Sequence, residues 1–303
     1  MANKQITASA GAALNMVAAS VFIALSAFLA KGVAGRFDLP PGAQDIHPLQ
    51  ITAARFVVAW CVWIVVVSIR RQVFRNVHWS MHLIRTVFGW LTVTCVFWAS
   101  SLMALADATA ISFLTPVVTL VLAVLVLKER VGPVRWSAVA IMLIGALVLL
   151  RPGTSAFQPA ALIALVAAFT SAFEALFVKR LAAREPLVQI LFVNNSIGVV
   201  ISLIAASFVW VWPVGSQFAV LIGVGLSMAA AQVFFLSSMR DGEASYVIPF
   251  MYSTLIFAGV IDYLVFGDAP DALGALGAAI IVLGAVFLAL REGVIKSATS
   301  KRS

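Results

Sequence analysis

The sequence predicts an all-α polytopic membrane protein with ten transmembrane helices, which form two inverted five-helix repeats and leave both termini in the cytoplasm. Three observations lead to this fold class. The composition is strongly apolar, since 63% of the residues are hydrophobic and 11% are charged, against about 45–50% and about 25% in soluble domains. Ten apolar runs are long enough to cross a bilayer. Polar and acidic residues recur at similar places in the two halves of the chain.

Each predicted helix follows from an apolar run near the length of about 20 residues that spans the hydrocarbon core. The runs are 11–31, 48–69, 83–104, 107–127, 134–150, 157–178, 187–210, 216–239, 244–266 and 272–290. The connections are short except for 32–47 and 70–82, so we expect no soluble domain. The first run is too long for the apolar core of a signal peptide, and we expect an uncleaved helix there.

The basic residues set the predicted orientation. With the N-terminus in the cytoplasm, most of the 20 Lys and Arg residues fall in cytoplasmic segments, and only Lys31, Arg36 and Arg151 fall in outer ones. This bias follows the positive-inside rule. It also accounts for the net charge of +8, so nucleic acid is not an expected partner.

The two halves of the chain carry matching residues at corresponding places. The matched pairs are Lys31 with Lys179, HPL at 47–49 with EPL at 185–187, Glu129 with Asp268, and LIGALVLL at 143–150 with VLGAVFLA at 282–289. Because five crossings are an odd number, the second repeat is expected to lie upside down relative to the first. We predict repeats at 1–152 and 153–292 and a disordered basic tail at 293–303. Chance alignment of apolar segments is the alternative.

Two of the apolar runs contain an interior proline, Pro116 and Pro249. Proline removes a backbone hydrogen bond and bends a helix. In a bilayer the freed carbonyl is tolerated where it meets protein, water or a cavity. We therefore predict hinge or gating roles for both prolines, and a packing kink without motion is the alternative.

The segment LTPVVTLVLAVLVLKERVGPVRWSAVAIMLIGALVLL at 114–150 resembles the EamA module of the drug/metabolite transporter superfamily. The segment VIPFMYSTLIFAGVIDYLVFGDAPD at 247–271 resembles the ninth helix of metabolite and amino-acid exporters in that superfamily, the aromatic amino-acid exporters among them. The resemblance covers nearly the whole chain as two modules. It departs from the family where Asp268 stands in place of a common Glu, and Pro116 and Pro249 are not in strict register.

The resemblance implies ten helices, cytoplasmic termini and export of small metabolites. It also implies a central cavity lined by the first, third, fourth, sixth, eighth and ninth helices. We accordingly expect a multi-pass protein of the bacterial cytoplasmic (inner) membrane.

Polar side chains away from helix ends usually face the bundle interior or a water-filled path. In the third run, helical spacing places Trp90, Thr94 and Trp98 along one face, which favours a cavity wall. A contact between helices, held by hydroxyl groups and by tryptophans at the membrane interface, is the alternative. The predicted substrate-binding residues are Asn15, Trp90, Thr94, Trp98, Ser112, Thr115, Gln232, Tyr246 and Tyr252.

Three charged residues fall within predicted spans: Arg55, Glu174 and Asp262. Ion pairs near the membrane interface are one interpretation. Alternatively, Arg55 attracts a substrate carboxylate or forms an outer gate with Asp262 or Asp107. Glu174 and Asp262 are candidates for proton coupling.

Few other residues carry a chemical signal. Cys61 and Cys95 lie in apolar runs, so neither a disulfide nor a metal site is predicted. We interpret His78 and His82 as surface residues of a cytoplasmic turn, because no third ligand is near. Asn194 and Asn195 lie in the seventh run, which the resemblance places outside the cavity wall.

The predicted function is a secondary transporter that exports small metabolites by alternating access. Amino acids, including aromatic ones, are the first choice, since tryptophans can stack on a ring and amides can orient a polar head. Riboflavin-like or nucleoside-like metabolites and lipophilic drugs are the alternatives within this class. A scaffold without transport or a membrane-embedded enzyme is less favoured, because the sequence shows no catalytic motif. The expected partners are the small-molecule substrate and the lipid bilayer, no cofactor is expected, and a monomer is compatible with the sequence.

Overall fold

The computed structural model of the protein describes residues 2–37, 44–112, 114–115, 118, 133–150, 158–182, 184–241, 250–251, 253–267 and 271–300. These residues form ten α-helices that overlap the predicted apolar runs in order. The helices are α1 Ala2–Lys31, α2 Pro48–Arg70, α3 Trp79–Leu102, α4 Leu105–Ser112, α5 Pro133–Leu150, α6 Ala160–Ala182, α7 Leu187–Ala206, α8 Gly215–Asp241, α9 Ser253–Phe266 and α10 Ala272–Ser300. A π-helical turn, Gly32–Arg36, follows α1, and a 3₁₀ turn, Ser207–Val209, follows α7.

Within the described residues, five helices are long and apolar enough to cross a membrane. These segments are Gly11–Arg36, Pro48–Arg70, Trp79–Leu102, Leu187–Ala206 and Gly215–Ser238. Three shorter apolar helices are Ala160–Glu174, Ser253–Phe266 and Ala272–Gly284. The all-α prediction is therefore confirmed for the described residues, while ten crossings, the inversion of the repeats and the cytoplasmic termini stay predictions.

Local sequence explains where α2 begins and ends. Pro48 occupies its first turn, where a missing N–H costs nothing, and Nδ1 of the preceding His47 accepts a 3.2 Å hydrogen bond from the N–H of Leu49. At the other end, Arg71 adopts a left-handed conformation with φ 47°, and its N–H donates to the Ser68 carbonyl. This is a common way for a helix to stop.

The C-terminal prediction differs from the structure. A disordered tail is predicted from residue 293, whereas α10 continues to Ser300. Residues 291–300 include one glycine and no proline. A single glycine costs a helix only about 1 kcal/mol, so nothing in this stretch forces α10 to end.

The helix pairs relate the two halves of the chain. The main pairs are α1 with α8, α3 with α6, α2 with α7, α5 with α10, α2 with α8, α3 with α7, α1 with α9, α4 with α6 and α4 with α9. Exchanging α1–α5 with α6–α10 leaves this set of pairs unchanged. Two structurally related halves would produce a set of helix pairs with this property.

Close packing of α2 against α8 depends on Gly225. A Cβ atom at this position would overlap Val58 of α2. We expect Gly225→Ala to lower the free energy of unfolding by about 1–3 kcal/mol, because an added methyl forces packed helices apart. Thermal unfolding in detergent measures this loss. Gly11→Ala is the matched control, since nothing lies within 4 Å of a Cβ there, and equal losses in both variants would contradict the packing explanation.

Candidate functional site

Arg55 of α2 and Arg85 of α3 bury their guanidinium groups among the helices. Each residue is only 5% exposed. The Nε and Nη1 atoms of both side chains have no hydrogen-bond partner among the described residues. A buried donor left unsatisfied costs about 1–3 kcal/mol, and more when it is charged, so these two side chains need explaining.

Among the described residues, Glu174 of α6 is a carboxylate that interacts with both arginines. Its Oε1 lies 4.0 Å from Nε of Arg85, which is within ion-pair range but beyond a hydrogen bond. Arg55 also lies close enough to interact electrostatically with both Glu174 and Arg85. Gly89 of α3 makes room for the carboxylate, because a Cβ atom there would lie 2.7 Å from Oε1.

Side-chain contacts explain why three helices bring these charges together. Thr94 of α3 donates a 3.2 Å hydrogen bond to Thr52 of α2, one turn from Arg55. Two residues before Thr94 on α3, Thr92 donates a 2.8 Å hydrogen bond to Thr170 of α6, one turn from Glu174. These two contacts fix α2 and α6 on either side of α3.

Trp90 carries an uncharged donor on the face of α3 that also carries Thr94. It lies one turn from Thr94 on α3, so the contact of Thr94 with α2 places Trp90 at the level of Arg55. Its Nε1 is buried and has no acceptor among the described residues. We name Arg55, Arg85, Trp90 and Glu174 the α2–α3–α6 cluster.

This cluster is suited to bind an anion or a group rich in hydrogen-bond acceptors. It presents five nitrogen atoms for which the described residues supply no acceptor, and its two guanidiniums outnumber its one carboxylate. Guanidinium groups bind carboxylates through two parallel hydrogen bonds. No group of three or more His, Cys, Asp or Glu residues that could hold a metal is present in the part of the chain that the structure describes.

The other predicted binding residues lie apart from this cluster or make contacts between and within helices. Trp98 is exposed and contacts His47 edge to face at 5.4 Å between ring centroids. Gln232 of α8 accepts a 3.3 Å hydrogen bond from Asn195 of α7. Asn15 lies half-buried on α1. The contact of Thr94 with Thr52 corresponds to the alternative of hydroxyl-mediated helix packing.

The two hydroxyl residues predicted near Pro116 bond mainly to their own segment. Ser112 donates to the Thr109 carbonyl at 2.8 Å, and Thr115 donates to the Ser112 carbonyl at 2.7 Å. Pro116, Tyr246, Pro249 and Tyr252 lie outside the described residues. Their hinge and binding roles stay predictions.

Asp262 of α9 pairs with Lys31 of α1. The Lys31 Nζ atom lies 2.6 Å and 2.8 Å from the two carboxylate oxygens, and neither side chain is exposed. The N–H of Leu105 donates a further 2.8 Å hydrogen bond to Asp262. The predicted outer gate between Arg55 and Asp262 is therefore not formed in this structure, because Lys31 holds that carboxylate. A proton-coupling role for Asp262 or Glu174 stays a prediction.

The histidines at the start of α3 form a second polar cluster, and their interpretation as surface residues is wrong for His82. His82 is fully buried, and its Nε2 lies 2.8 Å from Glu185, while Nδ1 of His78 lies 2.9 Å from the same carboxylate. Gln189 of α7 donates to Glu185 at 2.8 Å. These contacts tie the loop before α3 to the loop before α7.

We expect Glu185 to make folding stability depend on acidic pH. Burial by itself would raise the pKa of its carboxyl, but the hydrogen bonds around it lower this pKa to about 2, from an ordinary value of 4.5. A lowered pKa means that the ionised group stabilises the fold above pH 4.5 and that this stabilisation disappears as the pH falls toward 2.

The Glu185→Gln variant tests this dependence through thermal unfolding in detergent across that pH range. We expect it to unfold at a lower temperature than wild type near neutral pH and to lose less stability on acidification. The exposed Asp241→Asn variant is the control and should follow the wild-type curve. A wild-type slope in Glu185→Gln would contradict the assignment.

Sequence reasoning missed Arg85, Lys31 and Asn194 as members of polar clusters. Arg85 lies within the third apolar run, and a charge inside a span is a signal that could have identified it. Asn194 accepts a 3.1 Å hydrogen bond from Thr86 of α3. The seventh helix therefore contacts the third directly, although it was excluded from the predicted cavity wall.

Apolar helices long enough to cross a bilayer, together with buried charges and unsatisfied donors between them, define a polytopic membrane protein with a polar candidate site in its interior. Such sites are characteristic of membrane transporters. The comparison with protein families agrees, since the EamA-like transporter family matches residues 10–151 and again residues 158–290. The chain belongs to this family and is a membrane transporter.

Relatives in the family are named for several substrates. Over 221 residues the chain is 31% identical to the riboflavin transporter of Vibrio cholerae, covering 72% of this chain and 74% of that protein. It is 29% identical to the S-adenosylmethionine uptake transporter of Rickettsia felis, with 73% and 74% covered. It is 26% identical to the pseudopaline exporter CntI of Pseudomonas aeruginosa, with 69% and 74% covered.

A solved crystal structure shares the fold. It covers 93% of this chain and 97% of its own, with a TM-score of 0.63 and 22% sequence identity. The family prediction is thus confirmed, whereas the three relatives are named for substrates other than aromatic amino acids.

Proposed function

We propose that the protein is a secondary carrier for a small metabolite that bears a carboxylate, of the amino-acid or amino-acid-derived class. One observation carries this proposal: the α2–α3–α6 cluster buries five nitrogen donors that find no acceptor in the described part of the chain. A substrate carboxylate would supply those acceptors and offset the excess positive charge.

Charge favours a carboxylate over a neutral carbonyl. Two guanidiniums and one carboxylate give the cluster a net charge of +1 when Glu174 is ionised. Protonation of Glu174 would raise this charge to +2, so the cluster is cationic in either state. An amino-acid head group would place its carboxylate at the arginines and its ammonium toward Glu174.

Alternating access follows from the proposed repeat. The main helix pairs named above are unchanged when the two halves are exchanged, as expected if 1–152 and 153–292 are related repeats. If the second repeat is inverted, the same contacts can build an inner and an outer gate around one site. The proposal places the protein in the bacterial inner membrane with ten crossings.

The names of two relatives bear on direction and substrate. One is an S-adenosylmethionine uptake transporter, and S-adenosylmethionine carries an amino-acid head. Another is an exporter, which agrees with the direction that the sequence resemblance predicts. We propose export, and an exchange measurement tests the substrate independently of direction.

A riboflavin-like substrate is the second candidate. The relative with 31% identity is a riboflavin transporter. Flavin rings present several acceptors that the unpaired donors of Trp90 and the arginines could meet. This candidate requires no carboxylate, which separates it from the first.

Counterflow in proteoliposomes tests both candidates. Vesicles are loaded with unlabelled tryptophan, S-adenosylmethionine or riboflavin, and the labelled counterpart is supplied outside. We expect transient accumulation of tryptophan or S-adenosylmethionine. Tryptophanamide, which keeps the ring and amine but lacks the carboxylate, should not compete.

Three outcomes would contradict the first candidate. Equal competition by tryptophanamide would show that the carboxylate is not recognised. Accumulation of riboflavin alone would favour the second candidate. No accumulation of any probe by folded protein would contradict a carrier for these substrates and favour a scaffold without transport.

A further inference from the structure

We propose that the carrier is an obligate exchanger, in which the molecule that returns through the site must also carry a carboxylate. This inference rests on the proposed function, because it concerns the same cluster. It adds the class of the counter-substrate: a second small carboxylate, which need not resemble the first in its other groups.

Without a bound substrate, the site holds two buried guanidinium groups whose charges need compensation. Arg55 and Arg85 are each about nineteen-twentieths buried, with Nε and Nη1 lacking acceptors among the described residues. Hydration can compensate such charges while one side of the site is open to water. During the crossing both sides are closed, and that compensation is lost.

The protein itself offers little substitute for the missing anion. Glu174 is the nearby carboxylate, and it remains 4.0 Å from Nε of Arg85. Two carboxylates outside the cluster are engaged elsewhere: Asp262 by Lys31 and the Leu105 N–H, and Glu185 by His78, His82 and Gln189. An empty site would therefore cross with excess positive charge.

A bound carboxylate changes this balance. It supplies acceptors to both guanidiniums and offsets one of their two positive charges, while the ammonium of an amino acid would lie toward Glu174. Crossing is then faster with an anion-bearing molecule than without one. Because the empty site crosses slowly, the outward transport of one molecule depends on the inward return of the site with another molecule bound.

Trans-stimulation in proteoliposomes is the test, with labelled tryptophan and labelled S-adenosylmethionine as the probes inside. Efflux is measured into buffer without substrate and into buffer with tryptophan, N-acetyltryptophan or tryptophanamide. We expect efflux to rise about tenfold or more with either carboxylate outside, because unpaired guanidinium charge raises the barrier and the rate falls exponentially with the barrier. Tryptophanamide outside should give no rise.

Arg55→Gln supplies a variant test of the charge itself. It makes the ionised cluster neutral when empty, so efflux into plain buffer should approach the exchange rate of that variant. Arg70→Gln removes the same charge from an exposed position at the end of the same helix, and it should keep the wild-type ratio of exchange to net efflux. The ratio remains informative even if Arg55→Gln lowers both rates.

The outcomes separate the two proposals. Equal wild-type efflux with and without an outer carboxylate would overturn obligate exchange while leaving the carrier function intact. An unchanged ratio in Arg55→Gln would overturn the role of the guanidinium charge in exchange. No efflux of either probe under any condition would overturn the proposed substrate class and, with it, this inference.

Discussion

Replacing Asp262 with Asn should lower the free energy of unfolding by about 3–5 kcal/mol, because removal of one partner leaves a buried charge uncompensated. Lys31 and Asp262 are both fully buried, and their closest atoms are 2.6 Å apart. The pair joins α1 to α9, and Asp262 also holds the N–H of Leu105 at the start of α4. Loss of the carboxylate charge therefore affects three helices. Thermal and denaturant unfolding in detergent measure the effect.

A double variant distinguishes charge burial from simple side-chain packing. Lys31→Met combined with Asp262→Asn removes both charges, and we expect it to recover most of the stability lost in Asp262→Asn alone. The control is Asp241→Asn, which removes the partner of Arg240 at an exposed position and should cause no measurable change. If the double variant is less stable than Asp262→Asn, the uncompensated lysine is not the cause.

Arg55→Ala and Glu174→Gln should change substrate affinity in opposite directions. Removal of Arg55 takes away a buried partner of the proposed substrate carboxylate, and such truncations cost about 2 kcal/mol or more, which weakens binding about 30-fold or more. Glu174→Gln removes the negative charge beside the same guanidiniums. Repulsion of the substrate carboxylate then falls, so the dissociation constant should decrease. Equilibrium binding of labelled N-acetyltryptophan to purified protein measures both constants, because this ligand keeps the carboxylate and lacks the ammonium that would lie toward Glu174.

The sign of the change is the decisive feature of this prediction. Variants that merely damage the fold would weaken binding in both cases. Arg70→Ala, on the exposed end of α2, should bind as wild type does. Weaker binding by Glu174→Gln in folded protein would contradict a carboxylate site at the α2–α3–α6 cluster and return attention to the riboflavin-like alternative.

Much of the helical framework could be predicted because its causes are local. The start of α2 follows from Pro48 and the preceding His47, and apolar runs of spanning length predict the other helices. The resemblance to the EamA module, carried by residues 114–150 and 247–271, was confirmed by family matches over most of the chain. Arg55 was predicted as a residue that could attract a substrate carboxylate, and the structure places it beside Glu174 and Arg85.

Other predictions failed for reasons that lie between helices. The spacing of Trp90, Thr94 and Trp98 predicted that they share one face of α3. Residues of one face still lie at different depths along the helix axis and meet different neighbours. Trp98 reaches His47 at the end of the bundle, whereas Thr94 bonds to α2. Helical spacing gives the direction of a side chain around its own axis. It does not give the rotation or the depth of the neighbouring helix.

The sequence by itself determined that the chain is helical and apolar, and its motifs indicated the family. Only the tertiary structure decided which charges meet. Lys31 and Asp262 are 231 positions apart, and the sequence offered Arg55 as a partner for the same carboxylate. In a low-dielectric interior each buried charge takes the partner that packing brings within a few ångströms. That pairing leaves Arg55 and Arg85 with buried donors that have no acceptor among the described residues, and these donors are the basis of the proposed binding site.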